Sequence, residues 1–245
     1  MRNINKNITA VSFLFFLLFS FVPAFADQGV KVLLYHDVSA AITNTDIPTA
    51  IPFVLFQDQM EWLKENGYEA VTVSQLFDMI DSETLQEKAV AITFDDGYLH
   101  VYDEVFPYLK ELGFTATVYP VGEKLDTQKN LTGAMLKEMY DAGWEIGSHS
   151  MSHSDLIESE DLNYEICFSK TVISETAGIP LDDVSSFAYP YGNADERVMT
   201  KVYKCGFLNG GGLGNMFIND SSNRYYFARY SMFSNLSLEE FVRIF

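Results

Sequence analysis

The chain has 245 residues, 48% of them hydrophobic and 20% charged, with a formal net charge of −18. That apolar share supports a substantial core and excludes a disordered chain. Sixteen Lys and Arg against 34 Asp and Glu leave no basic surface for phosphate contacts, which excludes nucleic acid as a partner and disfavours strongly anionic polymers. A neutral substrate, or one that becomes cationic as it reacts, fits better.

Residues 1–26 read as a signal peptide. Arg2 and Lys6 open it, an apolar run follows from Ile8 to Val22, and Ala24-Phe25-Ala26 offers a small-x-small cleavage site. The alternative is an uncleaved membrane anchor. Either way the rest, residues 27–245, is expected outside the cytoplasm, secreted or at the cell envelope, as a single α/β domain.

The spacing predicts a buried strand over 30–35, then a loop carrying Pro48 and Pro52 and a helix over 56–66 stopped by Gly67. A short strand follows at 70–73, with Ser74 as N-cap of a helix over 75–80. A strand over 89–94 runs into Asp95-Asp96-Gly97, and a helix over 101–112 ends at Gly113. A strand is expected over 115–119 and a helix over 131–142, before Glu145 to Ser148 leads into His149. A helix over 162–177 ends at Gly178 and Pro180. A strand over 186–189, a helix over 194–205, a late strand over 225–230 and a helix over 238–245 complete the chain.

This βα alternation predicts a mainly parallel sheet with helices outside, open or closed into a barrel. Gly210-Gly211-Gly212-Leu213-Gly214 lacks the ending of a phosphate loop and reads as a flexible loop. The two cysteines, Cys167 and Cys205, either bond to each other, as export permits, or stay separate as buried thiols.

In such folds the C-terminal ends of the strands converge on one face, where catalytic groups gather. His36 and Asp37, Asp95 and Asp96, His149 and His153, and Pro190 and Tyr191 all stand at such ends. Asp95 and Asp96 offer a metal ligand beside a base, although Asp-Asp-Gly is also ordinary turn chemistry. His149 and His153, four apart in a chain with four histidines, suit two imidazole ligands, although they are also compatible with surface or core positions. Together the two pairs supply ligands, a water position and a separate base, the parts of metal-assisted hydrolysis.

Thr93-Phe94-Asp95-Asp96-Gly97 resembles the first motif of the polysaccharide deacetylases, carbohydrate esterase family four, also called the NodB-homology domain. His149-Ser150-Met151-Ser152-His153 resembles the second, and Phe187-Ala188-Tyr189-Pro190-Tyr191-Gly192 the third. The likeness extends over nearly all of residues 27–245 and is nearest to the branch acting on poly-N-acetylglucosamine. It implies a distorted (β/α)7-type barrel and removal of N-acetyl groups from a polysaccharide of poly-N-acetylglucosamine, peptidoglycan or chitin type. It also implies a divalent metal held by Asp96, His149 and His153, zinc first, with cobalt, nickel or manganese as alternatives. Asp95 would be the general base, and the Tyr191 N–H would help stabilise the oxyanion. An O-acetyl xylan esterase of the same family and an inactive sugar-binding relative are the alternatives.

Two departures stand out. The Arg that commonly precedes Pro-Tyr-Gly is absent from Phe187-Ala188-Tyr189, and Arg229 is the candidate to steady the base, with a different Arg or none as alternatives. The C-terminal Leu-x-His that supplies the acid is also missing. His36 is the candidate replacement, the alternative being a structural histidine bonded to Asp37. His100 reads as solvated or packing. Tyr189, Pro190 and Tyr191 are candidate substrate contacts, with Trp144 as a further ring for a sugar face. A monomer is favoured.

Overall fold

The computed structural model describes residues 29–43 and 47–245, so the expected signal peptide lies outside the described residues. Strand β1 (Lys31–Tyr35) is buried throughout. Two short strands, β2 (Asp37–Ser39) and β3 (Ala50–Pro52), pair in parallel where the sequence suggested only a loop. Pro52 directs the chain into α1 (Phe53–Glu65), three residues ahead of the expected start, and Phe56, Met60 and Leu63 face the core. β4 (Glu69–Val71) leads directly into α2 (Val73–Asp81).

The cap of α2 is Thr72 rather than Ser74. Thr72 Oγ1 accepts the Gln75 N–H at 3.2 Å, and Gln75 Oε1 accepts the Thr72 N–H at 2.9 Å. This reciprocal pair satisfies two donors at once, which a Ser74 cap would leave open. β5 (Ala89–Asp96) extends two residues past its expected end and is buried over its whole length. A π-helical turn, Val101–Val105, opens α3 (Phe106–Leu112), which Gly113 ends at φ 71°. β6 (Thr117–Pro120), α4 (Gly133–Asp141) and β7 (Glu145–Ile146) follow.

A second π-helical turn, Asn163–Phe168, runs into α5 (Ser169–Ala177). Then come β8 (Ser186–Ala188), α6 (Glu196–Lys204), β9 (Asn209–Gly211), β10 (Tyr230–Ser231) and α7 (Leu238–Val242). The late strand is shorter than expected because Arg224–Tyr226 forms a 3-10 turn.

Every ladder is parallel. In the six-stranded sheet β5 is central, with β1 on one side and both β4 and β6 on the other, while β10 and β7 flank the ends. No continuous ladder closes the sheet. Single bridges carry the ring round instead: Ser148 to Phe187 joins β7 to the β8–β9 pair, and Gly211 to Phe227 joins that pair to the segment entering β10. The distorted (β/α)7-type arrangement is therefore present, with its seam made of bridges.

The first two glycines of the cluster are not loop, since Asn209–Gly211 is a buried strand, while residues 212–214 continue as irregular chain. The glycines admit large neighbours. A Cβ on Gly210 would meet the Tyr189 hydroxyl, and one on Gly211 would lie 2.9 Å from Arg229 Cδ. Trp144 is also buried, its ring stacked on Phe94 at 5.8 Å, so it is a core residue and presents no sugar platform. Cys167 and Cys205 are bonded to each other, tying the second π-helical turn to the end of α6. No described helix is long and apolar enough to cross a membrane.

Candidate active site

β5 delivers Asp95 and Asp96 opposite Tyr119 and Pro120 of β6. Asp96 leaves extended geometry, with φ 68°, which turns its side chain away from the strand's alternation. Ser150, His153 and Tyr191 also have positive φ, at 64°, 64° and 58°. Four of the six such non-glycine residues among the described ones therefore belong to the three motifs, the concentration of backbone strain expected of a functional site.

Ligand atoms of Asp96, His149 and His153 all lie within 4.8 Å of one another. His149 is fixed by its Nδ1 against the Ala188 carbonyl at 2.8 Å, which leaves Nε2 to face the carboxylates. His153 Nε2 is 3.6 Å from Asp96 Oδ1. Burial lowers the pKa of both imidazoles, more than the neighbouring carboxylates raise it. Two neutral imidazoles and one carboxylate are a donor set suited to zinc or a similar divalent ion, and the arrangement leaves a coordination position for water or substrate.

Asp95 is 2% exposed, and Arg229 is 1% exposed. Arg229 binds it through both guanidinium nitrogens, to Oδ1 at 2.7 Å and Oδ2 at 2.9 Å, and donates a third bond to the Gly212 carbonyl. Burial pushes the Asp95 carboxyl up, but Arg229, His149 and His36 outweigh it and leave the group at about 2. The Arg missing from the third motif thus has a spatial substitute, delivered from the segment that enters β10.

His36 stands beyond β1 with its Nδ1 buried and unpartnered among the described residues. It is not bonded to Asp37: that carboxylate pairs with His100 Nδ1 at 2.8 Å, so His100 is a partner of the rim and not simply solvated. The Tyr191 ring lies 4.7 Å from that of His153 and is 60% exposed. Pro190 is buried and opens the turn that places Tyr191. Tyr189 does not face the opening. It is 1% exposed and its hydroxyl donates to the Tyr225 carbonyl at 2.6 Å, because the glycines of β9 make room for it in the core.

Three contacts were not foreseen. Lys124 Nζ donates to Asp96 Oδ1 at 3.2 Å. Tyr98, one residue past Gly97, feels the charge of Asp96: its hydroxyl is pushed up to about 12 by burial and by the Asp96 and Asp37 charges. Glu165 accepts two bonds from Ser152. The sequence carries one faint signal for Glu165: it falls on the same helical face as Leu162, Ile166, Ser169 and Ile173.

A profile of the polysaccharide deacetylase family matches residues 82–210, just over half of the chain and all three motifs. The chain belongs to the polysaccharide deacetylase family. The polysaccharide deacetylase-like protein YxkH of Bacillus subtilis (strain 168) is 29% identical over 184 residues, which is 74% of this chain and 63% of that protein. The poly-beta-1,6-N-acetyl-D-glucosamine N-deacetylase of Staphylococcus aureus (strain MRSA252) is 25% identical over 187 residues, 71% of this chain and 64% of the enzyme. The chain therefore spans just under two thirds of the length of these family members. A crystal structure of a polysaccharide deacetylase from Bacillus cereus superposes with a TM-score of 0.78 at 26% identity, covering 89% of this chain and 69% of that one.

Proposed function

We propose that residues 27–245 form an exported, metal-dependent deacetylase that removes N-acetyl groups from a polysaccharide containing N-acetylglucosamine. One observation carries the reading: Asp96, His149 and His153 converge within 4.8 Å while the adjacent Asp95 is fixed and ionised by Arg229. The name of the Staphylococcus aureus relative favours poly-N-acetylglucosamine, and the net charge of −18 suits a polymer that gains amines as it reacts.

A divalent ion at Asp96, His149 and His153, zinc by preference, would supply Lewis acidity to the acetyl carbonyl and acidify the attacking water. Asp95 is the proton acceptor. At about 2 it is a weak base, but one that is ionised throughout the working range and held in one orientation by two bonds. Its carboxylate oxygens keep lone pairs beyond those facing Arg229, and one of these receives the water proton. The Tyr191 N–H, on the turn opened by Pro190, would donate to the developing oxyanion. His36, near enough to Asp95 to help hold its carboxyl down, delivers a proton to the departing sugar nitrogen. The exposed Tyr191 ring supplies a face for the sugar.

The test is acetate release from N-acetylglucosamine oligomers and from acetylated xylan, using chelated protein with and without added zinc or cobalt. Release from the N-acetyl substrate should depend on added metal and fall about 10³-fold in Asp95→Asn. His36→Ala should lose far more on the amide than on an activated ester, which needs no acid. Activity that survives both chelation and Asp95→Asn contradicts the mechanism, and a preference for acetylated xylan moves the assignment to an O-esterase.

A further inference from the structure

The stretch joining the two histidines is held in a shape it would not take alone. Ser150 and His153 both sit at φ 64°, where side-chain-bearing residues are uncommon. Internal support is slight: the His153 N–H donates to Ser150 Oγ at 2.9 Å, and the Ser152 and Ser154 hydroxyls share a bond of 2.6 Å. The remaining support comes from two outside segments. On one side, the Gly122 N–H donates to the Ser150 carbonyl at 3.0 Å, and the Glu123 N–H to the Met151 carbonyl at 2.8 Å.

On the other side stands one residue, Glu165. Its carbonyl accepts the Met151 N–H at 3.0 Å. Its carboxylate accepts the Ser152 N–H at 3.0 Å and the Ser152 hydroxyl at 2.6 Å, one on each oxygen. Glu165 is 6% exposed and has no Lys, Arg or His partner within ion-pair distance among the described residues. Burying a carboxylate without a countercharge is unfavourable. Glu165 lies inside a π-helical turn, a rare insertion found frequently at functional sites. Two residues further on, Cys167 is bonded to Cys205 at the end of α6.

We propose that Glu165, anchored through the Cys167–Cys205 bond, is a positioning residue that locks the His149–His153 loop and so sets the affinity of the site for a divalent cation. The inference rests on Asp96, His149 and His153 being the ligands. Glu165 touches neither ion nor substrate. It acts by fixing Ser152, and through it the backbone of His153, so that Nε2 faces Asp96. The disulfide carries part of the same effect by fixing the turn from which Glu165 projects.

The experiment is zinc affinity by competition with a chromogenic chelator for wild type, Glu165→Ala, Glu165→Gln and the Cys167→Ser/Cys205→Ser double variant. Amide exchange of the metal-free proteins is read beside it. Glu165→Ala should bind zinc about 10- to 100-fold more weakly, the range for partners that orient a ligand. Its cobalt form should have an altered visible spectrum. Glu165→Gln, which keeps the shape but only one acceptor oxygen, should bind zinc about fivefold more weakly than wild type, and it becomes the reading variant if Glu165→Ala does not fold. The double variant should weaken binding by less. The Met151 and Ser152 amides should exchange faster in Glu165→Ala while β5 stays protected. Zinc binding within twofold of wild type, with unchanged exchange at Ser152, overturns the proposal. A wild-type protein that takes no zinc sinks the ligand assignment instead, and the exchange comparison still decides whether Glu165 holds the loop.

Discussion

The two ends of the strand ring each bury a carboxylate, and they satisfy it in opposite ways. At the N-terminal end, Glu145 accepts from the Ser74 N–H at 3.0 Å, the Ser74 hydroxyl at 2.6 Å and the Thr117 hydroxyl at 3.0 Å. These donors are all neutral, and none of these residues has a positive φ. At the C-terminal end, Asp95 is bound by the guanidinium of Arg229, and Asp96 sits in strained backbone beside two imidazoles and Lys124. Neutral hydrogen bonds join α2, β6 and β7 and ask nothing further of the carboxylate. Charges held at strained strand ends stay available for chemistry. The contrast separates a stabilising end from a reactive one within a single sheet.

That contrast breaks most visibly at Asp95. Asp95→Asn should lower acetate release about 10³-fold, whereas Glu145→Gln should leave it within twofold. Comparing the initial rates of the two variants checks this. Next in size is Arg229→Met, which strands Asp95 as an unpaired buried charge and should cost about 3–5 kcal/mol in urea unfolding. Glu145→Gln keeps most of its bonds and should cost about 1 kcal/mol by the same measure.

The reactive end should also be the pH-sensitive one. Asp95 lies at about 2 when folded, against an ordinary 3.8. Between those values the unfolded chain binds more protons, so the stabilisation present above 3.8 is lost as pH falls through about 2. His149 acts in the same direction at higher pH. Burial holds it below its ordinary 6.5, so the unfolded state gains protons first and stability declines as pH drops below that value. Urea midpoints of the chelated protein, taken stepwise from pH 7 downward, should fall in both windows. A flat profile contradicts the buried, ion-paired description. The smallest effect belongs to the α2 cap next to Glu145: Thr72→Ala should cost about 1 kcal/mol in thermal unfolding without changing turnover.

Much of the reactive end was legible because its parts lie at the ends of contiguous patterns. The apolar run through Phe94 announces a buried strand, and two acids at its end announce a site. The pair His149 and His153 stands out in a chain with four histidines. What stayed hidden depends on partners distant in sequence. β9 holds Gly210 and Gly211 because Tyr189 and Arg229 fill the space those glycines leave, and local propensity reads them as a loop. Trp144 and Tyr189 carry polar tips that suit either a sugar face or a core, and only the packing places them inside. Glu165 is one acid among 34 Asp and Glu, and its burial is decided by Ser152 on another segment. Thr72 and Ser74 are both competent caps, and the Gln75 side chain decides between them.

The central claim is that one ion sits among Asp96, His149 and His153, and anomalous diffraction at the zinc edge from crystals of metal-loaded protein tests it most directly. The account predicts a single strong peak about 2.0–2.2 Å from a carboxylate oxygen of Asp96 and from Nε2 of both imidazoles. Zinc bound elsewhere in the molecule, with those three side chains free of it, would contradict the account.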